Sequence, residues 1–384
     1  VRTSCSAGYC GALSILGPFL SSAGPARTKA VDPDFLVVLA EMHGLSGLLY
    51  VRLSQAKQLD ISGEAICRLR KDYLATVSRS LCLIRELSVV RDILPPDIPL
   101  IALKGMSLLR RVYTFDGMRQ MSDIDLLVPR ERFDEANRLL AQRGYLRAEQ
   151  HVKNFDPVLR AHLWQTGTWW TPADARVRVS IDIHDRLQYF GKDLNPAVMD
   201  EKMAGIWQRS LPHPVFAGIS VMSPEDELLY LCVHAGILHI PLRPVSVCDV
   251  DLLIRQQAAF DWDAFLARTL FLDAAAPVLP VLQTACRLLS SPVPLRVLNR
   301  LSAACRRRVE RFLVGWAAQG SRFSQHLYYL FKCRRPSLRY ALVRAYFHPP
   351  EAFLRTQAGT VRSPLAGTFR RFVTVARSYR KRAA

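Results

Sequence analysis

Residues 121–128 read MSDIDLLV, a run with the composition of a buried β-strand that nevertheless carries two aspartates spaced i, i+2. Side chains alternate across a strand, so Asp123, Asp125 and Leu127 share one face and Ile124, Leu126 and Val128 the other. One face is built for a core. The other sets two like charges side by side, which costs stability unless something positive sits between them. The pair either faces water or holds a cation. A strand with two such faces demands a sheet, and the surrounding segments say what kind.

Upstream, 98–103 (IPLIAL) is short, apolar and partly β-branched, and it runs straight into Lys104-Gly105. The pattern then predicts a helix over 106–113, the Asp-bearing strand, and a helix marked by Phe133, Ala136, Leu139 and Leu140 that ends at Gly144. Residues 151–176 read as irregular and aromatic-rich, with Trp164, Trp169 and Trp170. A third strand is expected over 177–184 (VRVSIDIH). Helical spacing precedes this core from Asp32 onward, in Phe35, Leu36, Leu39 and Ala40, then Leu48, Leu49 and Leu53. Two more helices are predicted over 63–77 and 80–93, before Pro95-Pro96 stops the block. After Pro224 the chain is helical again, over 225–238, 247–257 and several later segments. The order predicts an α+β fold, a small mixed β-sheet core flanked by N-terminal and C-terminal helical regions. The expected units are a flexible leader (1–30), an N-terminal helical region (31–96), the core (97–222), a helical domain (223–295) and a basic helical region (296–384).

Half of the 384 residues are hydrophobic, which excludes disorder over the whole chain. The net charge of +19 is uneven, because residues 296–384 hold 20 Lys/Arg against Glu310 and Glu351 alone. Such a segment fits an anionic partner (nucleic acid, a lipid surface or a phosphorylated substrate), or else the solvated faces of ordinary amphipathic helices. The nine cysteines show neither CxxC pairs nor zinc-type spacing, and their apolar settings fit a reducing compartment. No stretch reaches the roughly 20 apolar residues of a membrane span. Residues 9–20 (YCGALSILGPFL) resemble a short secretory signal core, but the positive leader is only Arg2 and Gly17-Pro18 breaks the run. The expected location is the cytoplasm, with peripheral membrane association through 296–384 as an option.

In the core, Lys104-Gly105 stands where a strand hands over to a helix, so helix N-terminal N–H groups point at whatever binds there. Gly105 permits close backbone approach, and Lys104 and Ser107 add donors. The turn reads either as a triphosphate cradle or as structural punctuation. Asp182 in the third strand, with His184 on its face, adds a third carboxylate. Three carboxylates converging from two strands suit Mg²⁺; the alternative is strand-end acids in water. Arg119 either contacts a phosphate or pairs with Asp116. His184 either orients substrate or a carboxylate, or is a satisfied strand-end imidazole. His234, His239, Asp249 and Asp251 cap or cross-link helices, or form a zinc site for which no ligand spacing speaks. Trp169-Trp170 stack a base or sugar, or anchor a loop.

The run Leu103-Lys-Gly, Tyr113, Arg119, SDIDLLV and Gly144-Tyr145, with Ile181-Asp-Ile-His184 later, resembles the uncharacterised nucleotidyltransferase family of the polymerase-β-like superfamily. The likeness covers about 35–260, including Leu39-Ala-Glu-Met-His-Gly44, His234 and Asp249. It implies that Asp123 and Asp125 ligate Mg²⁺ (Mn²⁺ as an alternative ion), that Asp182 is the third ligand and helps deprotonate an acceptor, and that Gly105 and Ser107 hold the triphosphate. Met106 stands directly after Gly105, where the superfamily usually has a small residue. The implied activity moves an NMP from an NTP to a hydroxyl or phosphate, releasing pyrophosphate. The family's association with bacterial polysaccharide or peptide-modification clusters implies a small-molecule, carrier-linked or peptide acceptor. The competing expectation is a regulatory module that senses a nucleotide, or binds nucleic acid or an anionic membrane surface, on a catalytically degenerate fold.

Overall fold

The computed structural model describes residues 9–20, 32–55, 62–148, 166–187, 196–238, 242–257, 259–305 and 336–347. Its centre is a seven-stranded mixed sheet in the order β3-β4-β5-β2-β1-β7-β6. The strands are β1 (Ile101–Leu103), β2 (Asp123–Leu127), β3 (Leu146–Arg147), β4 (Thr166–Trp170), β5 (Ser180–His184), β6 (Leu211–Pro212) and β7 (Ser220–Val221). The α+β class expected from the sequence is what the chain adopts.

The two faces of β2 go to two different cores. Ile124, Leu126 and Val128, with Ala102 from β1 and Ile181 and Ile183 from β5, pack under α4 (Gly63–Ile93) and α6 (Phe133–Gln142) through Leu83, Leu87, Val90, Ala136 and Leu140. Leu127, with Ile101 and Leu103, belongs instead to a core shared with the helices of the N- and C-terminal parts. These helices are α2 (Pro33–His43), α3 (Ser46–Gln55), α8 (Pro224–Val233), α9 (Pro244–Gln256), α10 (Trp262–Phe271), α11 (Ala275–Leu289) and α12 (Leu295–Ala304). The aspartates lie on this second face. The short helix α5 (Lys104–Leu108) joins β1 to the loop before β2, α7 (Pro196–Arg209) precedes β6, and α13 (Pro336–Phe347) stands in the basic region.

Several local expectations change. The helices read as 63–77 and 80–93 are one, because the sequence between them contains no Gly or Pro and Ser80 is used in tertiary contact, donating to the Asp116 carbonyl at 2.8 Å. Arg79, at the supposed gap, donates to the carbonyls of Arg178 and Ser122 and so holds the approaches to β5 and β2. The helix expected over 106–113 stops at Leu108, where Leu109 bridges to Tyr113 and Arg110 takes a positive φ of 58°. Within the stretch read as irregular, 166–170 is a strand; 151–165, with Trp164, lies outside the described residues. The helix over 225–238 is α8 followed by a π-helical turn, His234–Leu238. Of the basic region, 296–305 and 336–347 are described, and no helix among the described residues is long and apolar enough to cross a membrane.

The flexible-leader reading is corrected over Tyr9–Leu20, which forms α1. Leu16, Phe19 and Leu20 are buried in the second core. Gly17 lies so close to the Leu288 carbonyl of α11 that a Cβ would stand 2.4 Å from its oxygen, so a glycine is required for this approach. The apolar run that imitates a signal core is therefore the packing face of a helix. Truncating Leu16 to Ala should cost about 2–5 kcal/mol, read as a shift of the denaturant midpoint; a segment outside the fold would leave the midpoint unchanged.

Candidate functional site

The site begins with register. β2 and β5 are parallel, and their pairing sets Asp123 against Ser180, Asp125 against Asp182 and Leu127 against His184. β1 runs antiparallel on the other side of β2 and places Leu103 opposite Asp125, so the chain enters α5 directly beside the acids. β4 lies antiparallel to β5 with Thr168 opposite Asp182. Neighbours in register share a face, so Asp125, Asp182 and Thr168 form one row across three strands.

Asp125 is buried, and two nitrogens converge on one of its oxygens. Lys104 Nζ donates to Oδ1 at 2.7 Å, and His184 Nε2 stands 2.9 Å from the same atom. Burial alone would raise the Asp125 carboxyl, but the Lys104 charge and the His184 hydrogen bond outweigh it and hold it below the usual carboxylate range. Burial also opposes the Lys104 ammonium, which Asp125 holds charged above the ordinary lysine range. Asp123 and Asp182 go the other way. Burial, then the Asp125 charge, pushes both carboxyls up, with Lys104 relieving Asp123 in part and His184 and Thr168 relieving Asp182. Asp182 Oδ1 is buried with no hydrogen-bond partner among the described residues. Tyr230 of α8 feels the charges of Lys104, Asp125 and Asp182, and burial pushes its hydroxyl up to about 12.

Asp125, Asp182 and His184 bring one ligand atom each within 4.8 Å of one another. Asp123 is on the same face but outside that group, and Ser122 Oγ donates to its Oδ1 at 3.1 Å. The set closest in space is thus two carboxylates and an imidazole. A buried carboxylate oxygen with no partner, beside a second carboxylate, is a donor set that fits a divalent cation.

Gly105 is buried under the end of Arg119. A Cβ there would stand 2.4 Å from Arg119 Nη1 and 2.6 Å from the Met121 sulfur, so any side chain would have to displace the ends of Arg119 and Met121. Arg119 does not pair with Asp116, which is held in a fork by Arg110 at 2.8 and 2.7 Å. It forks Asp249 of α9 instead, at 2.7 and 2.8 Å, and the Tyr113 hydroxyl donates to the same carboxylate at 2.7 Å. Asp251 bonds Arg255 and Ser291. These contacts match the cross-linking reading of Asp249 and Asp251. His234 joins no metal-type group among the described residues, and His239 lies outside them. Trp169 is a packing residue whose Nε1 donates to Asn137 at 2.8 Å, and Trp170 stacks with the Arg178 guanidinium 5.2 Å from its ring centre.

Ser107 is not brought to the acids. It is fully buried, and its hydroxyl donates to Glu227 of α8, which Arg111 also binds. A buried carboxylate needs these donors, and α5 is only one turn long, so the hydroxyl three residues after Lys104 is spent on tying α5 to α8. His213 borders this cluster. Its Nδ1 accepts the N–H groups of Val215 and Phe216, each at 3.1 Å, so the neutral form is required there. Burial, then the Arg111 charge, lowers its pKa from 6.5 to about 4. The unfolded chain therefore binds a proton that the folded one refuses between those values. Stability should be complete above pH 6.5 and fall by about 3 kcal/mol as pH drops to about 4. Denaturant titrations of His213→Asn, whose Oδ1 can accept the same N–H groups, should lose most of that slope.

Sequence reasoning missed Thr168 and Tyr230. Thr168 sits in a TGTWW run whose strand character comes from pairing with β5, and Tyr230 is one apolar-run residue among many. Comparison with known proteins adds a family. No curated protein and no solved structure matches this chain. A family model described as uncharacterised nucleotidyltransferase matches residues 29–290.

Proposed function

Because the chain belongs to the uncharacterised nucleotidyltransferase family over most of its length, we propose that it transfers an NMP from an NTP to a hydroxyl or phosphate acceptor in a Mg²⁺-dependent reaction. The observation that carries this reading is the in-register Asp125–Asp182 pair with its unpartnered Asp182 oxygen, seated beside the Lys104-Gly105 turn. Asp125 and Asp182 would hold the cation together with the His184 imidazole, and Asp123, on the same face, would add a further carboxylate. When bound, a divalent ion would neutralise phosphate charge and orient the triphosphate.

The chain's own groups then have distinct work. The Asp182 carboxyl, raised by burial and by Asp125, is suited to take the proton of an acceptor hydroxyl. As that oxygen bonds to the α-phosphorus, the bond to the β-phosphate oxygen breaks and pyrophosphate leaves. Arg119, fixed by Asp249, which Tyr113 also holds, and with its Nη1 over Gly105, is positioned to bind a phosphate oxygen without losing further side-chain freedom. Thr168 orients Asp182 from the neighbouring strand. The acceptor belongs to the small-molecule, carrier-linked or peptide class. The test incubates the protein with each labelled NTP, Mg²⁺ or Mn²⁺, and acceptors of these classes. Transfer that survives EDTA, or is unchanged in both Asp123→Ala and Asp125→Ala, would remove the basis of this assignment.

A further inference from the structure

We propose that Lys104 is a resident counter-ion of the acid site, exchanged for a divalent cation on loading and then released toward the nucleotide phosphates. The inference rests on the nucleotidyl-transfer reading of the acids. It concerns an exchange of cations and involves no change of protonation.

Three observations carry it. Lys104 Nζ sits 2.7 Å from Asp125 Oδ1, inside a face that also carries Asp123 and Asp182, so the ammonium occupies the position where a positive charge is needed. Lys104 also has φ +51°, a left-handed conformation that non-glycine residues rarely adopt. A lysine directed to solvent from a strand–helix junction needs no such backbone; an outlier of this kind persists when the surroundings over-determine it. Finally, the ammonium does not satisfy everything around it, because Asp182 Oδ1 has no hydrogen-bond partner among the described residues. A divalent cation held by Asp125 and Asp182 would use an oxygen that Lys104 leaves unused, and this difference would favour the exchange.

The lysine also has somewhere to go. Its side chain is 21% exposed while that of Asp125 is 5% exposed, so the lysine is the more accessible member of the pair. Lysine is a point charge on a flexible four-carbon stem with three donors, able to swing from a carboxylate to a phosphate. Arg119 Nη1 already stands over Gly105, the next residue. Binding of the metal would thus convert a lysine that closes the acid face into a second cationic contact beside Arg119. Before loading, the same ion pair keeps three neighbouring carboxylates from repelling one another.

The test measures Mn²⁺ binding to the full chain by electron paramagnetic resonance without nucleotide, and melting in EDTA and in Mn²⁺. Lys104→Met should bind Mn²⁺ about tenfold or more tightly than the wild type, since removal of the competing partner of a buried pair is a large effect. It should melt lower than the wild type in EDTA and rise further on Mn²⁺ addition. Lys104→Arg keeps the charge and should bind Mn²⁺ no more tightly than the wild type, with its EDTA melting preserved. If Lys104→Met binds no more tightly while Asp125→Asn loses binding, the metal site stands and Lys104 is a permanent structural partner. If none of these proteins binds Mn²⁺, the reading of the acids itself fails, and the exchange with it.

Discussion

Asp125→Asn should lower nucleotidyl transfer by at least about 100-fold, since removing even an outer partner of a metal ligand costs 10–100-fold. The substitution is nearly isosteric and keeps an oxygen for Lys104 and His184, so the fold is expected to survive. What disappears is the charge that both nitrogens converge on. The wild type is expected to melt higher with Mg²⁺ or Mn²⁺, because a ligand bound to the folded state stabilises it by mass action, and the variant should lose that rise. A folded Asp125→Asn protein with a tenth or more of wild-type transfer would show that this carboxylate is not central to the chemistry.

The second large effect is expected away from the acids. Asp249→Ala removes the shared acceptor of Arg119 and Tyr113, leaving a guanidinium and a phenol without it in surroundings where the Arg119 side chain is 12% exposed and Asp249 was 3% exposed. Breaking a buried pair from one side costs about 3–5 kcal/mol, which for a fold of about 300 residues corresponds to a fall of roughly 5–8 °C in melting temperature. The double variant Arg119→Met/Asp249→Leu should recover a substantial part of that loss, because no uncompensated charge is left behind. It should not recover nucleotide affinity, since the group over Gly105 is gone. Stability and affinity thus separate between the single and the double variant. A single variant that melts with the wild type would mean the pair is not buried as described.

The site's framework was legible because strand parity is a local property. The alternation in MSDIDLLV already puts Asp123 and Asp125 on one face, and VRVSIDIH puts Asp182 with His184. Pairing then adds that Asp125 and Asp182 are direct neighbours, a fact no single strand contains. The partners of the charged residues were not legible for the same reason. Ser107 meets Glu227 and Arg119 meets Asp249 across more than a hundred residues, and nothing in either local pattern names the other. The irregular reading of 166–170 failed because a strand that contains Gly167 is defined by its neighbours. The split of α4 failed because neither Gly nor Pro stands between 77 and 80, and the Ser80 hydroxyl serves a distant loop while its backbone stays helical. The leader reading failed because an apolar helix looks the same whether it is cleaved or docked.

The docking of α1 has a consequence for the order in which the molecule is assembled. Gly17 and Leu16 join a core that also contains Leu289 and Leu301, so this core closes only between segments made at widely separated times during synthesis. The first core, from Leu83 to Ile219, needs no contribution from α1 or α11. A growing chain can therefore complete the sheet's α4 and α6 face while α1 still waits, and the acid face gains its full helical cover last.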